Sequence, residues 1–442
     1  MADRITVIGW DGTPLTEAAA AALAAATLVA GAPYQLRTLP VPPAAERIIL
    51  GSIRPAARRI AEHRGAAVVI AEGDPGFFGV VRTLRRPEYG LELEVLPAVS
   101  SVAAAFARAG MPWDDAQVVS AHGGRLRRAA NVCRANPKVA VLTAPGAGPA
   151  ELALMLRGVH RTFVVCEALG TPDEDVTVLT SDRVADHVWR DPSVVLVIGG
   201  SSGGGPGGGP QAGTASEAAG WIAGRPVGYP GVERGWALPS DAYTGAGRAG
   251  GEPGASETLP SHVRALVLAR LGARPGDLVW SVGAGSGELA VEAARFGAAV
   301  VAVESDRAAC ARLAVNARRY GVEVEIVQGR GPEVLGGLPE PDAAVVESGG
   351  ADVVRAVLSR RPERVVAVAR TLGEAEEVRR AIAGAGYRAD GALLQSAPLL
   401  APAAAPVAAS ASAPAAAADT GSGLRLGVGD PGTFLLWGEQ IV

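Results

Sequence analysis

The stretch VWSVGAGSGELA, residues 279–290, sets three glycines, Gly283, Gly285 and Gly287, between a short apolar run and a helical pattern. Glycine has no Cβ, so a strand-to-helix turn built from it is sharp and lets a ligand lie against backbone. Ala284 and Ser286, the residues between the glycines, belong to the same candidate cradle. A dinucleotide fingerprint would have its third glycine where Glu288 stands, and a Walker-type phosphate loop would need a lysine that is missing. A carboxylate follows at a telling distance. Glu304 ends the next apolar run, 21 residues after Gly283, where it can accept both hydroxyl hydrogens of a ribose. After the third run comes Gly329-Arg330-Gly331-Pro332, whose Gly331 suits the edge of an adenine. Ordinary turns of a parallel sheet are the plain alternative; the order of the trio and Glu304 favours a nucleotide-type ligand.

The elements that must hold these residues are legible as alternation. In the second half, LVWSV (278–282), AAVVAV (298–303), VEVEIV (322–327), DAAVV (342–346), RVVAVA (364–369) and a final TFLLW (433–437) read as strands between helical stretches. The first half repeats the scheme with RITVI (4–8), AVVIA (67–71), LELEVL (91–96), KVAVLT (138–143), TFVVCE (162–167) and SVVLVI (193–198). Two α/β domains are therefore expected, at 1–199 and 227–442, joined by a Gly-rich linker at 200–226. A disordered Ala/Pro insertion is expected at 397–423 of the second.

Composition narrows the function. The 442 residues are 48% hydrophobic but only 4% aromatic, so the core must be Val, Leu, Ile and Ala. A net charge of -4 without basic blocks argues against nucleic acid. Cys133, Cys166 and Cys310 lie far apart, which indicates neither a disulfide framework nor a metal site and fits the cytoplasm. The Ala-rich segment 16–32 reads as a helix and then a strand rather than a signal peptide, and no run reaches membrane-spanning length.

The first half carries VIGWDGTPLT (7–16), AEGDPGFFG (71–79), LPAVSSV (96–102), Ala121-His122-Gly123 and VLTAPGAG (141–148). This order of motifs resembles the tetrapyrrole methylases of cobalamin biosynthesis. The G-x-G-x-G turn of the second half resembles that of Rossmann-like S-adenosylmethionine methyltransferases, one of which is fused to a tetrapyrrole methylase in some of these enzymes. The resemblance implies an α/β chain: a two-lobed tetrapyrrole methylase domain, then a Rossmann-like class I methyltransferase domain. It implies a small-molecule tetrapyrrole substrate, two methyl transfers to carbons 5 and 15, and loss of carbon dioxide from the ring C acetate. S-adenosylmethionine is the expected donor, with one pocket per domain; a homo-oligomer is expected, and no metal, nucleic acid or membrane partner.

Carried onto this sequence, the resemblance places Gly9, Gly73, Asp74, Pro75, Phe78, Ser100, Ser101 and Thr143 at the first donor pocket. At the second it places Thr258, Gly283, Ala284, Gly285, Ser286, Gly287, Glu304 and Gly331. His122 is a candidate base for the methylated carbon, with a packing role as the alternative, and Glu347 stands where substrate and donor would meet. Three departures are visible. The opening loop Gly9-Trp10-Asp11-Gly12 is bulky, Ser281 replaces an acid, and Glu347 replaces a small residue. They leave room for one active half, or for a binding scaffold without turnover.

Overall fold

Short runs of Val, Ile, Leu and Ala are buried on both faces, as central strands of covered sheets are. The computed structural model describes residues 4–50, 53–190, 193–199, 235–245, 259–396, 399–400, 425–426 and 432–441. The chain forms two compact units, Met1–Pro226 and Val227–Val442.

The first unit opens with β1 (Arg4–Trp10), α1 (Glu17–Ala24) and β2 (Leu28–Gly31), so the Ala-rich segment is a helix and a strand. The Thr16 hydroxyl caps α1 by accepting from the Ala19 amide. There follow α2 (Pro33–Thr38), β3 (Glu46–Ile49), α3 (Ile53–Glu62), β4 (Ala67–Glu72), α4 (Val80–Leu84) and β5 (Glu92–Leu96). These strands make a parallel sheet of order β3-β2-β4-β1-β5. The second lobe contains α5 (Ser101–Ala109), β6 (Gln117–Ser120), α6 (Leu126–Ala135), β7 (Lys138–Leu142) and α7 (Pro149–Met155). It continues with β8 (Arg161–Glu167), β9 (Asp175–Thr180), α8 (Ser181–Val184) and β10 (Ser193–Gly199). Its sheet, β6-β7-β10-β8-β9, is parallel only between β6 and β7.

The second unit runs through α9 (Ser261–Leu271), β11 (Leu278–Val282), α10 (Glu288–Arg295), β12 (Ala299–Glu304), α11 (Arg307–Arg319) and β13 (Glu325–Gln328). Next come β14 (Ala343–Val346), α12 (Gly350–Leu358), β15 (Arg364–Ala369), α13 (Leu372–Gly384) and β16 (Tyr387–Leu394). A small ribbon of β17 (Leu399–Leu400) and β18 (Arg425–Leu426) precedes β19 (Thr433–Gln440). The seven-stranded sheet has order β13-β12-β11-β14-β15-β19-β16, with β19 antiparallel to both its neighbours. Its core is Val, Leu and Ala around Val279, Val300, Leu313, Val345 and Val366, as the low aromatic content requires. The expected linker at 200–226 lies outside the described residues, as does the expected insertion at 397–423 apart from Leu399–Leu400. Among the described residues no helix is long and apolar enough to cross a membrane.

Candidate functional site

In the second unit the order of strands turns back between β11 and β14, and ligands of open α/β sheets lie at the strand ends beside such a switch. The glycine trio fills the turn from β11 into α10. Gly283, Gly285 and Gly287 have φ of 74°, 56° and 85°, the left-handed region that side chains with a Cβ resist. A Cβ on Gly283 would overlap the Ser348 hydroxyl and lie 3.1 Å from the Ser348 amide nitrogen, so the two loops at the switch touch through this glycine. A Cβ on Gly287 would overlap Leu313 of α11. Glu304, at the end of β12, turns its carboxylate to the glycine turn. Its Oε2 accepts the Gly285 amide at 2.8 Å and its Oε1 the Asp306 amide at 2.8 Å, which ties the ends of β11 and β12 together. Ala284 and Ser286 are buried in the turn, and Gly331 lies against Val282 and Val353. Thr258 lies outside the described residues.

Three carboxylates, Glu288, Glu304 and Glu347, gather around this turn. Ser281, fully buried, donates its hydroxyl to Glu347 Oε1 at 2.8 Å, so the two departures in the second domain are partners. Burial pushes the Glu347 carboxyl up to about 8; the Ser281 hydrogen bond opposes this, and Glu288 and Glu304 reinforce it. Burial also raises Glu288, against the attraction of Arg264 and Arg312. Glu288 Oε1 and Arg264 Nη1 are buried with no hydrogen-bond partner among the described residues. Arg264 is otherwise well held: Nε donates to Leu259 O at 3.1 Å, Nη2 to Leu238 O, and the guanidinium lies 5.2 Å from the Tyr243 ring centre.

In the first unit two loops converge on Gly9, near the end of β1. A Cβ there would overlap Gly73 O and lie 2.7 Å from Ala98 N and 2.9 Å from Pro75 Cδ. Gly73 has φ 61°, and its own Cβ would lie 2.9 Å from Ser101 N. The GDP and PAVSS motifs are thus packed backbone against backbone. Asp74 Oδ1 accepts the Gly76 amide at 2.8 Å, a turn of its own loop, and the Ser100 hydroxyl caps α5 through the Ala103 amide at 3.1 Å. Phe77 and Phe78 are exposed and meet edge to face at 4.9 Å, with Phe78 at φ 51°. Asp11, in the bulky loop, accepts Thr13 Oγ1 at 2.6 Å and the Val99 amide at 3.3 Å. Burial works to raise it, but these hydrogen bonds prevail and hold it below the ordinary value. His122 is exposed, with Nδ1 3.0 Å from Ser120 Oγ; crowding by protein lowers its pKa. Thr143 follows directly on β7. Its buried hydroxyl donates to Ser193 O at 2.6 Å and accepts the Ser193 amide at 2.9 Å, joining β7 to β10.

Comparison with known proteins follows this division. Residues 11–185 match a family model described as Tetrapyrrole (Corrin/Porphyrin) Methylases, and 258–405 one described as Precorrin methyltransferase domain. A solved structure of precorrin-6y C5,15-methyltransferase from Geobacter metallireducens is similar at 18% identity, covering 47% of this chain and 97% of that one, with a TM-score of 0.38. A Sinorhizobium relative named precorrin-6Y C(5,15)-methyltransferase [decarboxylating] is 32% identical over 66% of this chain, the match spanning 64% of the relative. A Mycobacterium tuberculosis relative of the same name is 30% identical over 77% of this chain and 79% of its own length. The chain belongs to the precorrin-6Y C(5,15)-methyltransferase (decarboxylating) family. It is accordingly a methyltransferase of cobalamin biosynthesis, with a precorrin as substrate and S-adenosylmethionine as methyl donor. Its fold is that of a tetrapyrrole methylase followed by a Rossmann-like methyltransferase domain.

Seen within the precorrin-6Y C(5,15)-methyltransferase family, the second unit carries polar groups that sequence reading did not bring to the site. Arg264 lies in α9, before the glycine turn, and in the sequence Glu288 marks only the absence of a third dinucleotide glycine. The glycine cradle and the two unpartnered buried atoms fit a ligand that bears both an ammonium and a carboxylate, as S-adenosylmethionine does.

Proposed function

We propose that the chain converts precorrin-6B to precorrin-8X. Two methyl groups pass from S-adenosylmethionine to carbons 5 and 15, and carbon dioxide leaves the ring C acetate. The first domain takes carbon 5; the second takes carbon 15 and the decarboxylation. Each has its own donor pocket. The observation that carries this reading is the separate glycine-lined meeting of loops in each unit, around Gly9 and Gly73 in one and Gly283 to Gly287 in the other.

Bound donor supplies a methyl already activated by its sulfonium, so neither a metal nor a nucleophilic side chain is needed. The chain's task is to align the reactants and keep water out. In the second domain Gly283, Ala284, Gly285, Ser286 and Gly287 offer backbone, Glu304 receives the ribose hydroxyls and Gly331 borders the adenine. Glu288 and Arg264 face the amino-acid end, and Thr258 is a further donor-binding residue. In the first domain Gly9, Gly73, Asp74, Pro75 and Phe78 shape the pocket with Ser100 and Ser101, while Thr143 holds the sheet beneath it. His122, whose pKa burial lowers and whose Nδ1 lies 3.0 Å from Ser120 Oγ, is the group that takes a proton from the methylated carbon. We place the enzyme in the cytoplasm as a homo-oligomer, in keeping with its separated, unpaired cysteines.

A reading with one active half has one observation in its favour. Trp10 fills the opening loop of the first domain, bonded through Nε1 to Thr13 O at 2.8 Å and packed 6.0 Å from the Tyr34 ring centre. Calorimetric titration of the full chain with S-adenosylmethionine separates the readings. Two sites per chain are expected; one site establishes the alternative, and none refutes both.

A further inference from the structure

Ser281 and Glu347 sit at the ends of β11 and β14, the two strands between which the sheet order turns back. Glu347 is fixed to β11 twice: its amide donates to Val282 O at 2.9 Å, and its Oε1 accepts the Ser281 hydroxyl at 2.8 Å. Its Oε2 has no hydrogen-bond partner among the described residues. Three carboxylates bear on this point from three elements: Glu347 after β14, Glu288 on α10 and Glu304 on β12. Arg264 on α9 opposes them. Backbone amides engage both oxygens of Glu304. They leave open Glu288 Oε1 and Glu347 Oε2, and only the second belongs to a residue that is partly accessible. A site so arranged suits a cation next to Glu347.

We propose that Glu347, clamped by Ser281, is the anionic partner of the donor's sulfonium, and so the residue by which the second domain holds the charged donor in preference to its uncharged thioether product. The inference rests on the reading of this domain as a donor site. A carboxyl lifted to about 8 by burial and by its acidic neighbours is mostly protonated at neutral pH, and an adjacent cation draws it back to the ionised form. Donor binding at this site therefore releases a proton. Its affinity rises with pH up to the value of the free carboxyl and levels off above it. The thioether, lacking the sulfonium, shows little of this dependence, and protonation of Glu347 after methyl transfer accompanies its release.

The test is calorimetric titration of the full chain with S-adenosylmethionine and with S-adenosylhomocysteine, from about pH 6.5 to about pH 8.5. Wild type is compared with Glu347→Gln, which keeps the size and the acceptor for Ser281. At one of the two sites the preference for donor over thioether falls about tenfold in the variant, and the pH slope of donor binding disappears. Thioether affinity at that site changes little. A preference and slope unchanged in the variant, with donor still bound at both sites, overturns the role of Glu347 alone. Wild type that binds no donor in the second domain overturns the reading on which the inference rests. Thermal unfolding of Glu347→Gln, which removes a costly buried carboxyl, verifies that the variant is folded.

Discussion

Gly283→Ala tests whether the turn at the strand switch is held as tightly as its geometry requires. The residue has φ 74°, and a left-handed backbone costs a residue with a Cβ about 1–2 kcal/mol. The new methyl would overlap the Ser348 hydroxyl and press on the Ser348 amide at 3.1 Å. Overpacking of this kind costs about 1–3 kcal/mol. Together the two come to about 2–5 kcal/mol, a large share of the roughly 5–15 kcal/mol that stabilises a domain. Relief by displacing the Ser348 loop moves Glu347 with it and opens the cradle. The variant is therefore expected to unfold earlier in its second domain and to lose at least about tenfold in donor affinity at one of two sites, since about 1.4 kcal/mol is a factor of ten. Adding Ser348→Gly removes the overlapping side chain but not the backbone strain, so it recovers only the packing part. Thermal unfolding and donor titration on the full chain read both quantities. Wild-type stability and affinity in Gly283→Ala would refute the reasoning.

Three other outcomes follow from the same geometry. Gly9→Ala sets a methyl against the backbone of Gly73 and Ala98, where no side chain can give way, and is expected to abolish donor binding in the first domain alone; two intact sites would contradict this. Thr143→Val leaves the buried Ser193 amide without its acceptor and is expected to cost about 1–3 kcal/mol in urea unfolding with donor affinity unchanged, whereas a loss of affinity at unchanged stability would make Thr143 a pocket residue. Because the folded chain keeps a proton on Glu347 up to about pH 8, and the unfolded chain loses it near 4.5, wild type loses stability as pH rises between those values. Glu347→Gln lacks this loss, so its advantage over wild type should grow by at least about 1 kcal/mol across that window; an advantage independent of pH contradicts the raised carboxyl.

Strands buried on both faces are the ones most plainly legible in the sequence. β11, β12, β14 and β15 are buried almost throughout and appear as unbroken apolar runs. β3, β6, β9 and β16, which the sequence does not mark, are sheet edges, whereas the edges β5 and β13 do carry a readable pattern. β16 shows why: Arg388 and Asp390 interrupt it and its burial alternates, so no apolar run marks it. The site divides in the same way. The glycine trio and Glu304 were legible because a turn conformation and a strand end are local properties. Ser281 and Glu347 each stand out in the sequence, but their hydrogen bond joins residues 66 apart, and only the pairing of β11 with β14 brings them together. The unpartnered atoms of Arg264 and Glu288 depend on packing between helices and a turn, which leaves no mark on spacing. The pairing of the Thr143 hydroxyl with Ser193, 50 residues away across the sheet, is likewise invisible in the motif around it.

The central claim is that both domains act on one tetrapyrrole. Incubation of precorrin-6B with the chain and S-adenosylmethionine, followed by mass spectrometry, tests it most directly. The account predicts a product that has gained two methyl groups and lost one carbon dioxide. A product with a single methyl and its acetate intact would contradict it and confine activity to the first domain.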